Sequence, residues 1–192
     1  MKSTTSAAAK EQLRSEILLH LRQLSASDKQ RQSTSIQNLL SEELKSETGV
    51  WVGYQSLINE PALDWSALAP QIQWAFPQTE GQQMHFRLKA TGFEKSKLGV
   101  QEPVDGDVVP LQAIKGVVIP ALAFDRQGFR LGRGAGFYDR SLNQFKNKKI
   151  GVCFESSLLD ECPHETHDIV CDTVIANQSV YKIKSSEGVQ QW

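Results

Sequence analysis

The chain has 192 residues, of which 40% are hydrophobic and 22% are charged, and its formal net charge at pH 7 is −1. These fractions are typical of a folded globular protein and argue against a fibrous or disordered chain. The near-zero net charge gives no general attraction to nucleic acid or to anionic membranes, and no stretch approaches the ~20 apolar residues that span a bilayer, so we expect neither as a partner.

The three cysteines, Cys153, Cys162 and Cys171, are odd in number and form no C-x-x-C pair. This pattern favours a reducing compartment, and charged residues interrupt the first apolar run, which argues against a signal peptide. We therefore expect a cytoplasmic protein, or an organellar counterpart of one. The length fits a single domain over residues 1–192, which we expect to be a monomer with residues 1–8 disordered.

The first predicted element is an amphipathic helix over residues 8–24. Its apolar residues recur at helical spacing: Leu13, Ile17, Leu18, Leu21 and Leu24. Lys10 and Arg14 are four residues apart, so the helix places both cations on one face. By themselves they are typical of a solvated helix surface.

A second helix is predicted to begin at Ser25 or Ser27, with Ser25 and Asp28 at capping-box spacing, and to run through Leu44 to Gly49. The chain therefore opens with a pair of helices. The pattern then changes to short apolar runs that are separated by Gly, Pro and Asp, which is typical of strands and turns.

These apolar runs predict strands at residues 50–54, 73–77, 84–88, 116–120, 149–154 and 172–176. Helical segments are predicted between them at residues 64–71, with Asp64 as the cap, and at residues 136–146. Strands that alternate with helices predict an α/β fold, with a mainly parallel or mixed sheet flanked by helices. In such sheets ligands bind beyond the carboxyl ends of the strands.

A glycine loop, "RLGRGAGFYDR" at residues 130–140, follows the strand predicted at residues 116–120. Its three alternating glycines allow close approach to the backbone, and three arginines match phosphate oxygens. The residues fit a phosphate cradle or a tight strand-to-helix turn with solvated arginines about equally well. Asp139 fits a Mg²⁺ ligand beside a phosphate, or a first-turn aspartate that interacts with the helix dipole, and both can hold at once.

A second group of candidate residues lies close together near the C-terminus: Cys162, His164, His167 and Cys171. Their spacings differ from those of structural zinc sites, so we favour local roles, with the cysteines as small apolar fillers and His167 orienting Asp168. The aromatic residues of the strand runs are expected in the core. Tyr54 is the exception, because it ends a predicted strand shortly before Glu60.

The segment "IPALAFDRQGFRLGRGAGFYDRSL" resembles the signature of the 5-formyltetrahydrofolate cyclo-ligases, also called methenyltetrahydrofolate synthetases. The segments "KEQLR", "GVQEP" and "PHETHDIVCD" are similar to further motifs of that family, in the same order. The resemblance runs from Lys10 to about residue 176. It implies conversion of 5-formyltetrahydrofolate to 5,10-methenyltetrahydrofolate, with ATP as co-substrate, Mg²⁺ as cofactor, a phosphorylated formyl intermediate, and ADP and phosphate as products.

The resemblance also implies a role for individual residues. ATP contacts are implied for Lys10, Arg14, Arg130, Leu131, Gly132, Arg133, Gly134, Ala135, Gly136, Phe137 and Tyr138. Folate contacts are implied for Gln55, Glu60 and the loop residues Arg133, Gly134, Ala135, Gly136 and Phe137, and we add Tyr54. Catalytic roles fall to Arg133, Phe137 and Tyr138, and Mg²⁺ ligation falls to Asp139 and Asp168, with Asp172 as an alternative or additional ligand.

Four positions depart from the family pattern, namely Gln78, Phe137, Ser157 and Ala176, where Arg, Tyr, Gln and Thr are usual. The departures at Gln78, Phe137 and Ser157 motivate a second hypothesis, a non-catalytic regulatory protein that binds folate or nucleotide in the same pocket. A third hypothesis, nucleic-acid binding by the Arg-Gly-aromatic loop, is disfavoured by the near-zero net charge and by Asp139.

Overall fold

The computed structural model describes residues 3–183, and its helices are α1 (Ser3–Gln23), α2 (Ala26–Leu44) and α3 (Phe137–Leu142). The Ser25 hydroxyl caps α2 by accepting the Asp28 N–H at 3.0 Å, which decides between the two predicted starts. Helix α1 begins earlier than predicted, so residues 3–8, which we expected to be disordered, are helical. Residues 1–2 lie outside the described residues. No helix in the described part of the chain has the length and apolarity to cross a membrane.

The strands are, in chain order, β1 (Gly49–Val52), β2 (Ile72–Glu80), β3 (Gln83–Leu88), β4 (Phe93–Lys95), β5 (Gln101–Pro103), β6 (Asp107–Val109), β7 (Ile114–Pro120), β8 (Ala123–Asp125), β9 (Arg130–Leu131), β10 (Lys148–Val152), β11 (Leu158–Leu159), β12 (Thr173–Ile175) and β13 (Val180–Lys182). All six predicted strand runs are strands. The short strands were not predicted, because two or three residues are too few for a periodic pattern.

Within residues 3–183, eight strands form the main sheet in the order β13-β12-β10-β7-β1-β2-β3-β6. The five strands from β12 to β2 pair in parallel, whereas β13, β3 and β6 are antiparallel at the edges. Strands β8, β9 and β11 form a small second sheet, and β4 and β5 form a hairpin. The α/β fold with a mixed, largely parallel sheet is therefore confirmed.

Each face of the main sheet has its own apolar core. On one face, α1 and α2 pack through Leu21, Ile36 and Leu40, all fully buried, against strand residues such as Val118. On the other face, Leu142 of α3 packs with Val117 and its neighbours. The helices therefore cover both sides of the sheet, as parallel strands require.

Residues 64–71 form turns rather than the predicted helix. Asp64 does accept the Ser66 and Ala67 N–H groups like a cap, and the Leu68 N–H reaches the Asp64 carbonyl. Pro70 stops the helix there, because proline disfavours the α conformation of the residue before it. Ala69 has a φ of 49° instead. Helix α3 also ends sooner than predicted, at Leu142.

Three neighbouring strands, β7, β1 and β2, run towards the same edge of the main sheet. The chain leaves β1 towards Tyr54 and Glu60, leaves β7 towards the glycine loop, and continues along β2 past Pro77. Because β1, β2 and β7 are parallel, their carboxyl ends lie side by side. The fold thus brings the candidate residues to the place where ligands bind in such sheets.

Candidate active site

A cavity of about 570 Å³ opens at this edge of the sheet. Its lining includes Lys10 and Arg14 of α1, Tyr54, Gln55 and Glu60 after β1, residues 130–139 of the glycine loop and α3, and Asp168. The predicted ATP, folate and Mg²⁺ residues therefore border one cavity, with the exception of Asp172. Their individual roles stay predictions.

Lys10 reaches across the cavity edge to Asp168. The distance from Lys10 Nζ to Asp168 Oδ2 is 2.6 Å, and both side chains are largely buried. Burial opposes ionisation of Asp168, but the Lys10 ammonium and the Glu165 N–H outweigh it and hold the pKa of this carboxyl below its usual value. Asp168 is therefore a carboxylate at neutral pH.

Arg14 holds the glycine loop against α1. Its Nε donates to the Gly132 carbonyl at 2.9 Å, and its guanidinium lies beside Gly134. Gly134 and Gly136 have φ values of 99° and 66°, which side-chain-bearing residues rarely adopt. The loop therefore needs glycine at these two positions to turn from β9 into α3.

Arg130 forms the second cation–carboxylate pair of the cavity. Its Nη2 lies 2.7 Å from Asp139 Oδ2, and the Arg130 side chain is only 6% exposed. Asp139 Oδ1 also accepts the Ile169 N–H at 3.3 Å, so the segment that carries Asp168 is tied to α3. The two predicted Mg²⁺ ligands thus lie on neighbouring segments of one cavity.

Arg133 and Glu60 form the third pair. Arg133 Nε donates to Glu60 Oε1 at 2.9 Å, and the Leu57 N–H donates to Glu60 Oε2. The Glu60 carboxylate is buried at 6% exposure. The glycine loop is therefore joined directly to the segment after β1.

Two tyrosines line the cavity beside Glu60. Burial and the Glu60 charge raise the pKa of both Tyr54 and Tyr138 well above the usual 10, so both stay protonated. Tyr54 is 2% exposed and donates its hydroxyl to the Pro61 carbonyl. Its hydroxyl proton is therefore already engaged within the protein. Tyr138 lies beside Arg130, with the guanidinium carbon 5.4 Å from the ring centre.

A further wall of the cavity was missed by the sequence analysis. Its residues come from β2, β3 and the β4–β5 hairpin: Pro77, Thr79, Met84, Leu98, Val100 and Glu102. The sequence pattern of apolar residues in short strands does not indicate that they border a cavity, because it is the pairing of the strands that places them there. The "GVQEP" motif that contains Glu102 was the one available signal.

Some candidate residues lie away from the cavity. Asp172 does not line it, and its Oδ2 accepts the Lys149 N–H at 2.7 Å instead. Cys162 and Cys171 are buried in the cores of opposite sheet faces, and His164 stacks on Phe129. Within the described residues, no three His, Cys, Asp or Glu side chains converge on a metal position. Both cysteines therefore pack among apolar residues of the cores.

The model of the 5-formyltetrahydrofolate cyclo-ligase family matches residues 6–177 of this chain. The chain belongs to the 5-formyltetrahydrofolate cyclo-ligase family. Its cavity residues from Lys10 to Asp168 all fall inside the matched region.

Individual cyclo-ligases are similar to different extents. The mouse cyclo-ligase is 25% identical over 200 residues, which cover 93% of this chain and 98% of that protein. The Mycolicibacterium smegmatis cyclo-ligase is 49% identical over 61 residues, 31% of each chain. The matches to the bacterial relatives from M. smegmatis, Escherichia coli and Haemophilus influenzae span 31% to 50% of those proteins.

The fold is also that of a solved cyclo-ligase. The structure of 5,10-methenyltetrahydrofolate synthetase from Aquifex aeolicus superimposes with a TM-score of 0.79, at 26% identity, over 95% of this chain and 96% of that one. The described sheet and helices therefore follow the architecture of this family.

The four departures from the cyclo-ligase pattern differ in their relation to the cavity. Gln78 lies on β2 between Pro77 and Thr79, which line the cavity, and points to the other face, where its side chain bonds Pro103 and Arg87. Ser157 and Ala176 are buried and do not line the cavity. Among the four, Phe137 alone borders it.

Proposed function

We propose that this chain catalyses the ATP-dependent cyclisation of 5-formyltetrahydrofolate to 5,10-methenyltetrahydrofolate, with release of ADP and phosphate. One observation carries the proposal: in a chain of this family, a single cavity brings the cations of α1 and the glycine loop together with the buried Glu60. Its volume of about 570 Å³ is in the range of small-molecule sites.

The reaction begins with attack of the formyl oxygen on the γ-phosphorus, which breaks the bond to ADP and gives an imidate phosphate. N-10 then attacks the formyl carbon, the new C–N bond closes the ring, phosphate leaves and N-10 loses its proton. Such a reaction asks the protein for positioning and charge neutralisation rather than for a covalent nucleophile. Lys10, Arg14, Arg130 and Arg133 are the cavity cations for this task.

The cysteines fit a reaction without a protein nucleophile. Burial raises the pKa of Cys162 and of Cys171 to about 12, so both remain thiols at neutral pH. Neither lies in the lining of the cavity. The proposed chemistry therefore uses cations, backbone and carboxylates.

Asp139 and Asp168 fit the Mg²⁺ that the family implies. Both carboxylates line the cavity, and Mg²⁺ in phosphoryl-transfer sites is bound by one or two carboxylates together with substrate phosphates and water. When bound, the ion would neutralise charge on the transferred phosphoryl group. The two aspartates would hold it, and Lys10 and Arg130, which pair with them in this structure, would be free to contact the phosphates.

A spectrophotometric assay tests the proposal. Purified protein is mixed with 5-formyltetrahydrofolate, ATP and Mg²⁺, and the absorbance of the methenyl product is followed. We expect product that depends on both ATP and Mg²⁺. Binding of both ligands without product would favour the non-catalytic binder instead. The cytoplasmic location and the monomeric state stay predictions, and light scattering would test the second.

A further inference from the structure

Glu102 is a buried carboxylate in the cavity wall that has no assigned role. It lies on β5, is 8% exposed, and borders the same cavity as the glycine loop. Its neighbours in this wall are mostly apolar, such as Leu98 and Val100. Burial of a charge among apolar groups is costly unless hydrogen bonds satisfy it.

Thr79 supplies part of this compensation. Its N–H donates to Glu102 Oε2 at 2.8 Å, and its hydroxyl lies 2.9 Å from Oε1 and 3.0 Å from Oε2. Lysine or arginine cations pair with three other carboxylates of the cavity, Asp168, Asp139 and Glu60. Within residues 7–183, Glu102 takes part in no such pair.

The two donor groups of Thr79 leave acceptor capacity unused, because a carboxylate has about four acceptor positions. Since Glu102 borders the cavity, a bound ligand can supply the remaining donor. A phosphate would be repelled by the Glu102 carboxylate. A neutral N–H group can donate to that carboxylate, and an apolar ring that carries the N–H group can pack against the apolar wall.

We propose that Glu102 is a further substrate-binding residue, which accepts a hydrogen bond from an N–H group of the reduced folate. The inference rests on the proposed function, and it places the folate rings against the wall of β2, β3 and the β4–β5 hairpin. The phosphates of ATP then lie with the cations of α1 and the glycine loop. Glu102 and Glu60 together fix the orientation of the folate.

The test compares ligand affinities of Glu102→Gln with those of the unaltered protein. The amide oxygen of glutamine can still accept the hydrogen bonds from Thr79, so the fold is retained while the charge is lost. Calorimetry with 5-formyltetrahydrofolate, in the absence of ATP, should show that the substitution raises the Kd about 10- to 100-fold. This is the change expected when one hydrogen bond to a charged group is lost. The Kd of ATP should not change.

Glu94→Gln is the matched control. Glu94 lies opposite Glu102 in the β4–β5 hairpin and is exposed, so its replacement should leave both affinities unchanged. If Glu102→Gln fails to fold, Glu102→Asp provides a second variant. Aspartate keeps the negative charge but is shorter by one methylene group, so its carboxylate lies farther from the ligand and folate binding should weaken as well.

Unchanged folate affinity in a folded Glu102 variant would overturn the inference and leave Glu102 as a link between β2 and β5. Loss of ATP affinity with normal folate affinity would overturn it too, because Glu102 would then belong to the nucleotide. Absence of folate binding by the unaltered protein would instead overturn the proposed function, and this inference with it.

Discussion

At the scale of single residues, Arg133 connects two parts of the site. Its Nε lies 2.9 Å from Glu60 Oε1, and the glutamate is far more buried than the arginine, at 6% against 35% exposure of the side chains. The more exposed cation therefore neutralises a buried carboxylate, and both residues line the cavity. Loss of the arginine would leave that carboxylate buried without its partner.

We expect Arg133→Ala to lower the free energy of unfolding by about 1–3 kcal/mol, because one partner of a buried charged hydrogen bond is removed. Ligand binding or turnover should fall as well. Urea denaturation and kcat/KM would measure the two effects. Arg126→Ala is the control, since Arg126 is exposed and its contacts are distant, 3.9 Å to Asp160 and 5.9 Å to the centre of the Tyr181 ring. Normal stability and kinetics in Arg133→Ala would reduce the loop to a structural turn.

Asp139→Asn should abolish Mg²⁺-dependent turnover while the fold stays intact, because asparagine keeps the shape of aspartate but lacks the charge that holds the ion. A Mg²⁺ titration of product formation at fixed ATP would measure this. Asp172→Asn is the matched control, because Asp172 lies outside the cavity lining and should leave the titration unchanged. Full activity of Asp139→Asn would remove Asp139 from the metal site.

At the scale of elements, Glu43 fastens α2 to the main sheet. Its carboxylate pairs with Lys148 of β10 at 2.9 Å and with Lys182 of β13 at 3.0 Å. Burial alone would raise the pKa of Glu43, but the two lysines outweigh it and lower the pKa below its ordinary value of 4.5. The charge therefore stabilises the fold above pH 4.5, and this stabilisation is lost as the pH falls through the lowered pKa.

Glu43→Gln should lower the free energy of unfolding at pH 7 by about 1 kcal/mol, and its difference from the unaltered protein should shrink as the pH falls below 4.5. Chemical denaturation at several pH values would measure both. Glu42→Gln is the control, because Glu42 is exposed and its partner Lys45 is exposed as well. A difference that persists unchanged at low pH would contradict the electrostatic explanation.

The elements that could be predicted are those in which a local pattern and the tertiary fold agree. Leu21, Ile36 and Leu40 carry the helical period and are buried, and the run that ends at Pro120 is a central strand. Residues 64–71 show the opposite case, since the local conformation at Ala69 before Pro70 outweighed helical composition. Strand β9 at Arg130 exists because it pairs with β8, which no local pattern reveals.

At the scale of the whole molecule, the cavity is assembled from segments that are distant in sequence. Its lining extends from Ala7 of α1 to Asp168. The candidate binding residues could be named from sequence motifs, because the order and spacing of glycines and charged residues can be recognised in the sequence itself. The pairing of Lys10 with Asp168 and of Arg133 with Glu60, and the wall around Glu102, depend on the path of the chain and could not be predicted.

Because α1 supplies part of the lining, ligands should stabilise this helix together with the rest of the protein. A free ATP concentration of about 100 times its Kd should add about 2.7 kcal/mol to the free energy of unfolding. Hydrogen exchange with and without ATP should show greater protection around Lys10 and Arg14. Helix α2 serves as the internal reference, since none of its residues line the cavity. If ATP raised the Tm but left hydrogen exchange in α1 unchanged, α1 would not belong to the site.

The three cation–carboxylate pairs also mean that the ligand-free cavity is already largely neutral. Binding is then an exchange of counter-ions: each cation that turns to a phosphate releases an aspartate or a glutamate. A ligand that satisfies both partners at once, such as a nucleotide with its metal ion or a folate with its N–H groups, gains from every exchange. We expect a bare anion such as sulfate to bind weakly, because it would leave the released carboxylates without a partner.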